Sequence, residues 1–168
     1  MNDLSHTDEI LELFDLSDKD EAGLLPYLGF ELNQAFYAVD IQRVREIIGW
    51  EPFTPIPNTP EHLCGVLNWG GEIVPVVDLR LLLEMPFQPY SKTTVVLILQ
   101  VQGETSRTVG VAIDGACNAH YIDPPALSAV PDFGDRVSTE FISGISHIND
   151  DMLMLLDIDQ LLHPERLG

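Results

Sequence analysis

The sequence predicts an all-β protein of two similar lobes, each with the strand pattern of a small barrel. Short runs rich in Val, Ile, Leu and aromatic residues recur from Leu25 to Leu156, separated by Gly, Pro, Asn and Asp. Compact separators, Asn33-Gln34 and Gly70-Gly71 above all, read as hairpin turns. An aspartate also ends four of the runs, in Ala38-Val39-Asp40-Ile41, Val76-Val77-Asp78-Leu79, Ala112-Ile113-Asp114-Gly115 and Leu155-Leu156-Asp157-Ile158. A carboxylate at a strand end accepts backbone N–H groups one or two residues on, so each marks the start of a new element. Its use in both halves suggests two related lobes, although the spacing is too irregular for a repeat array.

In chain order, residues 1–23 form an acidic arm, with Asp3, Asp8, Glu9, Glu12, Asp15, Asp18, Asp20 and Glu21 against Lys19. Its composition predicts flexibility, while Ile10, Leu13 and Phe14 would share one face if the arm became helical. Residues 24–168 form the two-lobed domain. Tyr27–Leu32 and Ala35–Val39 alternate as hairpin strands, and Asp40 caps a short excursion over Ile41–Val44. Val44–Ile48 alternates again. Pro55, Pro57 and Pro60 then hold an extended entry, and Thr59-Pro60-Glu61 opens a helical turn that Gly65 ends.

Val66–Trp69 and Ile73–Val77 follow as a hairpin across Gly70-Gly71, with Pro75 at an edge or a bulge because it has no N–H for a ladder. Asp78 caps the apolar turn Leu79–Leu83. The second half repeats the texture, with strands over Thr93–Val101 and Thr108–Ile113, then His120–Ile122 and a loop at Pro124-Pro125. Phe141–Ile148 and Met152–Leu156 pair across Asn149-Asp150-Asp151. Asp157 and Asp159 cap a final helix, Ile158–His163.

Composition narrows the function. The chain has 168 residues, 45% of them hydrophobic, enough for one domain with a core. Its 27 acids against 8 bases give a net charge of −19, which opposes nucleic acid and anionic membranes and favours a protein partner. No apolar run reaches the roughly 18 residues of a membrane span, and no secretory signal opens the chain. Cys64 and Cys117 fit no paired spacing and read as reduced, buried thiols of a cytoplasmic protein.

His6, His62, His120, His147 and His163 show no metal-ligand spacing, and Asp150, Asp151, Asp157 and Asp159 read as turn and cap residues, not a cation site. Phosphate-loop, dinucleotide and nucleophile-elbow motifs are absent. Trp50 and Trp69 read as partly buried packing residues. These features describe a binder without a cofactor, not an enzyme.

The segment Thr54–Pro60, T-P-I-P-N-T-P, and the segment Gly65–Arg80, G-V-L-N-W-G-G-E-I-V-P-V-V-D-L-R, carry a resemblance. They are similar to the CheW family of chemotaxis coupling proteins, whose pattern runs T-P-x-P-N-T-P and then G-V-x-N-x-R-G-x-I-V-P-V-x-D-L-R. The resemblance extends from about Leu25 to Leu162. It implies two five-stranded β-barrel lobes on a shared hydrophobic core. It also implies a non-enzymatic cytoplasmic scaffold, recruited to receptor arrays without inserting into the membrane, that couples chemoreceptors to a CheA-type histidine kinase.

In that arrangement one lobe packs end to end with the kinase regulatory domain, and a groove between the lobes takes the cytoplasmic tip of a receptor. Family positions on the receptor side match Val44, Glu46, Gly65, Asn68, Gly70 and Gly71; the kinase-facing residues are unassigned. The alternative for the Gly65–Gly71 positions is turn and packing duty. Gly70 departs from the family arginine and leaves Glu46 without that cationic partner. Two other roles stay open: an adaptor of the same kind in another regulatory system, and a small-molecule-binding regulatory domain.

Deleting residues 1–22 is expected to leave the melting temperature within a few degrees, since an acidic arm with few apolar side chains buries little area. A loss of about 1.5–3 kcal/mol for each of Ile10, Leu13 and Phe14 would instead mark the arm as docked. Thermal melts of the full and shortened chains decide between them.

Overall fold

Four of the five strands of the second sheet, all but the end strand at Leu63–Trp69, bury side chains on both faces, and this requirement sets the architecture. The computed structural model describes residues 24–50, 57–58, 60–115, 118–122, 141–148 and 151–164. The acidic arm, the entry at Pro55, the Thr59 cap, Cys117, the Pro124-Pro125 loop and the Asn149-Asp150 turn lie outside them. Among the described residues ten strands form two five-stranded sheets, the all-β class expected.

The first sheet contains β1 (Leu25–Leu32), β2 (Ala35–Asp40), β8 (Asn118–Ile122), β9 (Ile142–Ile148) and β10 (Asp151–Leu156), in the order β8-β1-β2-β10-β9. The second contains β3 (Val44–Gly49), β4 (Leu63–Trp69), β5 (Glu72–Asp78), β6 (Val95–Val101) and β7 (Arg107–Ile113), in the order β3-β6-β7-β5-β4. The ladder pairs neighbours in each sheet and leaves the end strands, β8 with β9 and β3 with β4, unjoined by backbone.

The expected hairpins form. Asn33 and Gln34 hold φ of 53° and 66°, and Gly70 and Gly71 hold 60° and 90°, the double positive φ that matches the twist of two-residue hairpins. Two pairings were not legible in the sequence. β2 runs parallel to β10, with Ala38 opposite Leu155, and β5 runs parallel to β7, with Val77 opposite Val111. These are the four strands that end in the repeated aspartate, so the repeated device marks the central parallel pair of each lobe.

Two local expectations need correction. The turn opened at Pro60 does not run on to Gly65: Leu63 N closes it on the Pro60 carbonyl at 3.0 Å, and Leu63 already pairs with Val77 as the start of β4. Gly65 has a positive φ of 148°, but it takes it inside β4, where the register slips between Leu63 and Gly65. Pairing β4 along β5 satisfies the backbone of both strands, which one isolated turn cannot do. Asp159 is the other correction. Asp157 alone caps the last helix, α2 (Ile158–Leu161), by accepting from Gln160 N, while Asp159 turns to Arg43.

Pro75 is tolerated between two strands because the β7 ladder covers only Val76–Asp78, which leaves Pro75 just outside it. Asp40 and Asp78 cap as expected, Asp40 over a 3₁₀ turn at Ile41–Arg43 and Asp78 over α1 (Leu79–Leu82).

The largest cluster joins both sheets. Leu28, Phe30 and Tyr37 from the first meet Leu97, Leu99, Val111 and Ile113 from the second, with Leu79 and Leu161 from the helical turns. Each sheet then buries its opposite face separately, around Ala38, Leu153 and Leu155 in the first and Val74, Val76, Val96 and Ile98 in the second. That double burial explains why β6 reads as a continuous apolar run with little alternation.

Arg43 bridges the lobes. Its guanidinium gives two 2.8 Å hydrogen bonds to the Asp159 carboxylate and a third, at 3.1 Å, to the Gln100 carbonyl on β6. Asp159 also accepts from Gln102 N at 2.8 Å. The Arg43 hydrogen bond holds the Asp159 carboxyl below the usual carboxylate range, against a smaller opposing effect of burial.

A depressed carboxyl pKa stabilises the fold above the unfolded value, about 3.9, and that stabilisation is lost as pH falls through the folded value. Asp159→Asn should therefore lower the unfolding free energy by about 1 kcal/mol at pH 7, a figure reduced for partial exposure of the pair. Urea denaturation should show the gap from wild type closing as pH falls below about 4.

Candidate functional site

The site is built where the two unjoined ends of the second sheet meet. The chain leaves β2 through Asp40, whose carboxylate accepts from Gln42 N at 2.9 Å, turns over Ile41–Arg43 and enters β3. A bulge then separates Val44, opposite Leu99, from Glu46, opposite Ile98. It sends the two side chains different ways. Val44 packs against the shared core, whereas Glu46 falls on the face of Ile48, two residues on.

β4 meets the same face from the other end of the sheet. Leu67 and Trp69 pack against the cluster of Ile48, Val74, Val76, Val96 and Ile98. At its end the Trp69 indole Nε1 donates a 2.7 Å hydrogen bond to Glu46 Oε1. This side-chain bond crosses the seam that the backbone ladder leaves open. Glu46, expected to be without an arginine partner at position 70, is held instead by the residue just before Gly70. Trp69 is half-buried as expected, and its role as a donor is what sequence reasoning missed. The available signal was a large side chain with a single polar atom, which generally finds a partner when buried.

The other predicted positions divide. Asn68 Oδ1 accepts from Gly71 N at 2.8 Å and closes the β4–β5 turn. A Cβ on Gly70 or Gly71 would meet nothing within 4 Å, so the hairpin tip faces open space. Gly65 is buried in its bulge. The structure thus joins Glu46 to β4 next to the Asn68–Gly71 tip, and turns Val44 and Gly65 away.

A second polar group lies at the base of the same lobe. Asp78 has no solvent exposure; its carboxylate accepts from Arg80 N at 2.9 Å and from the Tyr90 hydroxyl at 2.7 Å. The Arg80 guanidinium pairs with Asp114 at 3.1 Å and donates to the Gln88 carbonyl at 3.2 Å. Asp114 in turn accepts from Asn33 N in the first lobe, at 3.2 Å.

Tyr90 stacks on Trp50 with centroids 3.9 Å apart and lies 3.4 Å from Cys64 Sγ. Burial pushes both the Tyr90 hydroxyl and the Cys64 thiol up, so both keep their protons at neutral pH. Cys64 is half-buried instead of fully buried, and free. A protonated thiol beside a saturated carboxylate is no nucleophile. Among the described residues no group of three or more His, Cys, Asp or Glu could hold a metal, and no helix is long and apolar enough to cross a membrane.

Gly70→Arg is expected to cost about 1 kcal/mol, since the side chain has room but its φ of 60° disfavours a Cβ. Gly70→Asn should cost less, because Asn adopts that backbone more readily. Chemical denaturation of both variants checks the order.

Comparison with known proteins accords with this geometry. A family model described as the CheW-like domain matches residues 26–166. The chain is 34% identical over 142 residues to the chemotaxis protein CheW of Klebsiella aerogenes, covering 84% of each. It is 29% identical over 138 residues to that of Rhizobium meliloti, covering 82% of this chain and 87% of the relative. The crystal structure of the scaffolding protein TtCheW from Thermoanaerobacter tengcongensis superposes with a TM-score of 0.74 at 27% identity, covering 82% of this chain and 87% of that one. With the family model spanning both lobes, this chain belongs to the CheW-like family of chemotaxis adaptors.

Proposed function

We propose that this protein is a non-enzymatic cytoplasmic scaffold that couples chemoreceptors to a CheA-type histidine kinase. The observation that carries the reading is the family match across residues 26–166, which takes in both lobes. Two features of the molecule support it. The buried Asp78 carboxylate is occupied by donors and the Cys64 thiol beside it keeps its proton, which leaves no activated nucleophile there. Its lobes share one continuous core, tied further by Arg43–Asp159 and by Asn33–Asp114, so the pair can act as a rigid body between two partners.

The receptor tip would dock along the β3–β4 seam, on Glu46, Asn68, Gly70 and Gly71. Val44 and Gly65 would support it from within. The kinase regulatory domain, itself built like CheW, would pack end to end against one lobe. No catalysis is required of this chain, because its partners supply it.

Isothermal calorimetry against the regulatory domain of a CheA-type kinase from the same genome tests the proposal. Binding at about micromolar affinity or better is expected, about −8 kcal/mol in free energy. The absence of binding to every such domain would reject the scaffold role.

A further inference from the structure

We propose that Trp69 is a positioning residue that presents the Glu46 carboxylate across the β3–β4 seam, and that the seam selects a receptor segment carrying Arg or Lys opposite Glu46. This rests on the receptor-docking reading above and names the chemistry of the partner.

The argument starts from what holds Glu46. An indole carries one N–H and no charge, so the 2.7 Å bond from Trp69 orients the carboxylate without neutralising it. An arginine at position 70 would have done both, since a guanidinium pairs with a carboxylate and cancels its charge. Among the described residues no Lys, Arg or His forms an ion pair with Glu46. Arg43 is held by Asp159, Arg45 by Gln100, Arg80 by Asp78 and Asp114, and Arg107 by the Leu162 carbonyl. Glu72, exposed and directly opposite Trp69 in the hairpin, adds a second negative charge to the end of that hairpin.

The surroundings fit a docking face. Trp69 is braced from behind by the apolar cluster on Val74 and Val76, so the donor is fixed before any partner arrives. The adjoining tip at Gly70-Gly71 is open, with no atom where a Cβ would stand. Leu67 and Trp69, half-buried on the Glu46 face of the sheet, supply apolar surface next to the charge. An acidic, half-buried carboxylate with an apolar neighbour complements a basic side chain on an otherwise apolar segment.

The test uses the full-length protein and a soluble cytoplasmic-tip fragment of a chemoreceptor from the same genome. Three variants separate the roles: Trp69→Phe keeps the ring and removes the donor, Glu46→Gln keeps the acceptor and removes the charge, and Gly70→Arg adds a competing cation. Each should weaken fragment binding about 5- to 20-fold, and Glu46→Gln should also flatten its salt dependence. Changing the fragment's Arg or Lys to Glu should restore binding to Glu46→Lys.

A second readout needs no partner. The Trp69 indole N–H proton, assigned by its loss in Trp69→Phe, should move and exchange faster in Glu46→Ala. Wild-type affinity and salt slope retained in both Glu46→Gln and Trp69→Phe would overturn the proposal. If wild type binds no receptor fragment, the docking reading fails with the selection that rests on it. An unmoved indole proton in Glu46→Ala would remove the positioning role on its own.

Discussion

One carboxylate without access to water constrains the second lobe. Asp78 ends β5 with no exposed surface, and an unpaired buried charge costs several kcal/mol. Its position is therefore possible only because α1 brings its first N–H groups, Tyr90 brings a hydroxyl and Arg80 brings a nearby cation. Arg80 is itself 3% exposed and must be answered in turn, by Asp114 and by the Gln88 carbonyl. The chain of obligations leaves the lobe through Asp114, which accepts from Asn33 in the other sheet. Both Asp78 oxygens are occupied by donors, and Arg80 Nε, 3.8 Å from Asp78, is left with an ion pair and no hydrogen bond.

The first lobe solves the related problem with more solvent. Asp40 and Asp157 end the parallel pair β2 and β10, each capping its own turn, and Asp159 takes the bidentate Arg43. In both lobes, then, the aspartates after the central parallel strands gather near one arginine that follows a strand. The arrangement is pseudo-symmetric in chemistry but not in burial. Arg80 and Asp78 are enclosed, whereas Arg43 and Asp159 keep about a third of their surface or less in water. A charge pair in water contributes modestly, while a buried one specifies geometry at a cost in desolvation.

Both lobes are tied to one core, and the seam between β3 and β4 is where that rigid body offers an edge. An edge strand normally invites pairing with another chain. Here the two edges are latched by side chains, with the neutral Trp69 indole on Glu46, one residue before Gly70. The latch is a hydrogen bond to the carboxylate and not an ion pair. Rigidity behind and charge in front are the properties an adaptor needs to pass a small movement from one partner to another.

Much of this was legible in the chain itself. Period-two runs, Gly70-Gly71 and the capping aspartates at Asp40, Asp78 and Asp157 determined strand, turn and cap locally, because each depends on neighbours within a few residues. The family motif over Gly65–Arg80 identified the architecture. What distance in sequence concealed was decided by packing. The β2–β10 and β5–β7 pairs join segments far apart in the chain, and no local pattern states which strands lie parallel. Asp159 has the sequence signature of a cap but becomes an ion-pair partner, since Arg43 arrives from the other side of the core. Glu46 reads as missing an arginine partner, yet the fold carries Trp69 from the far end of the sheet to within 2.7 Å. Short-range chemistry was written in the sequence, and partners across a closing sheet were settled only by the fold.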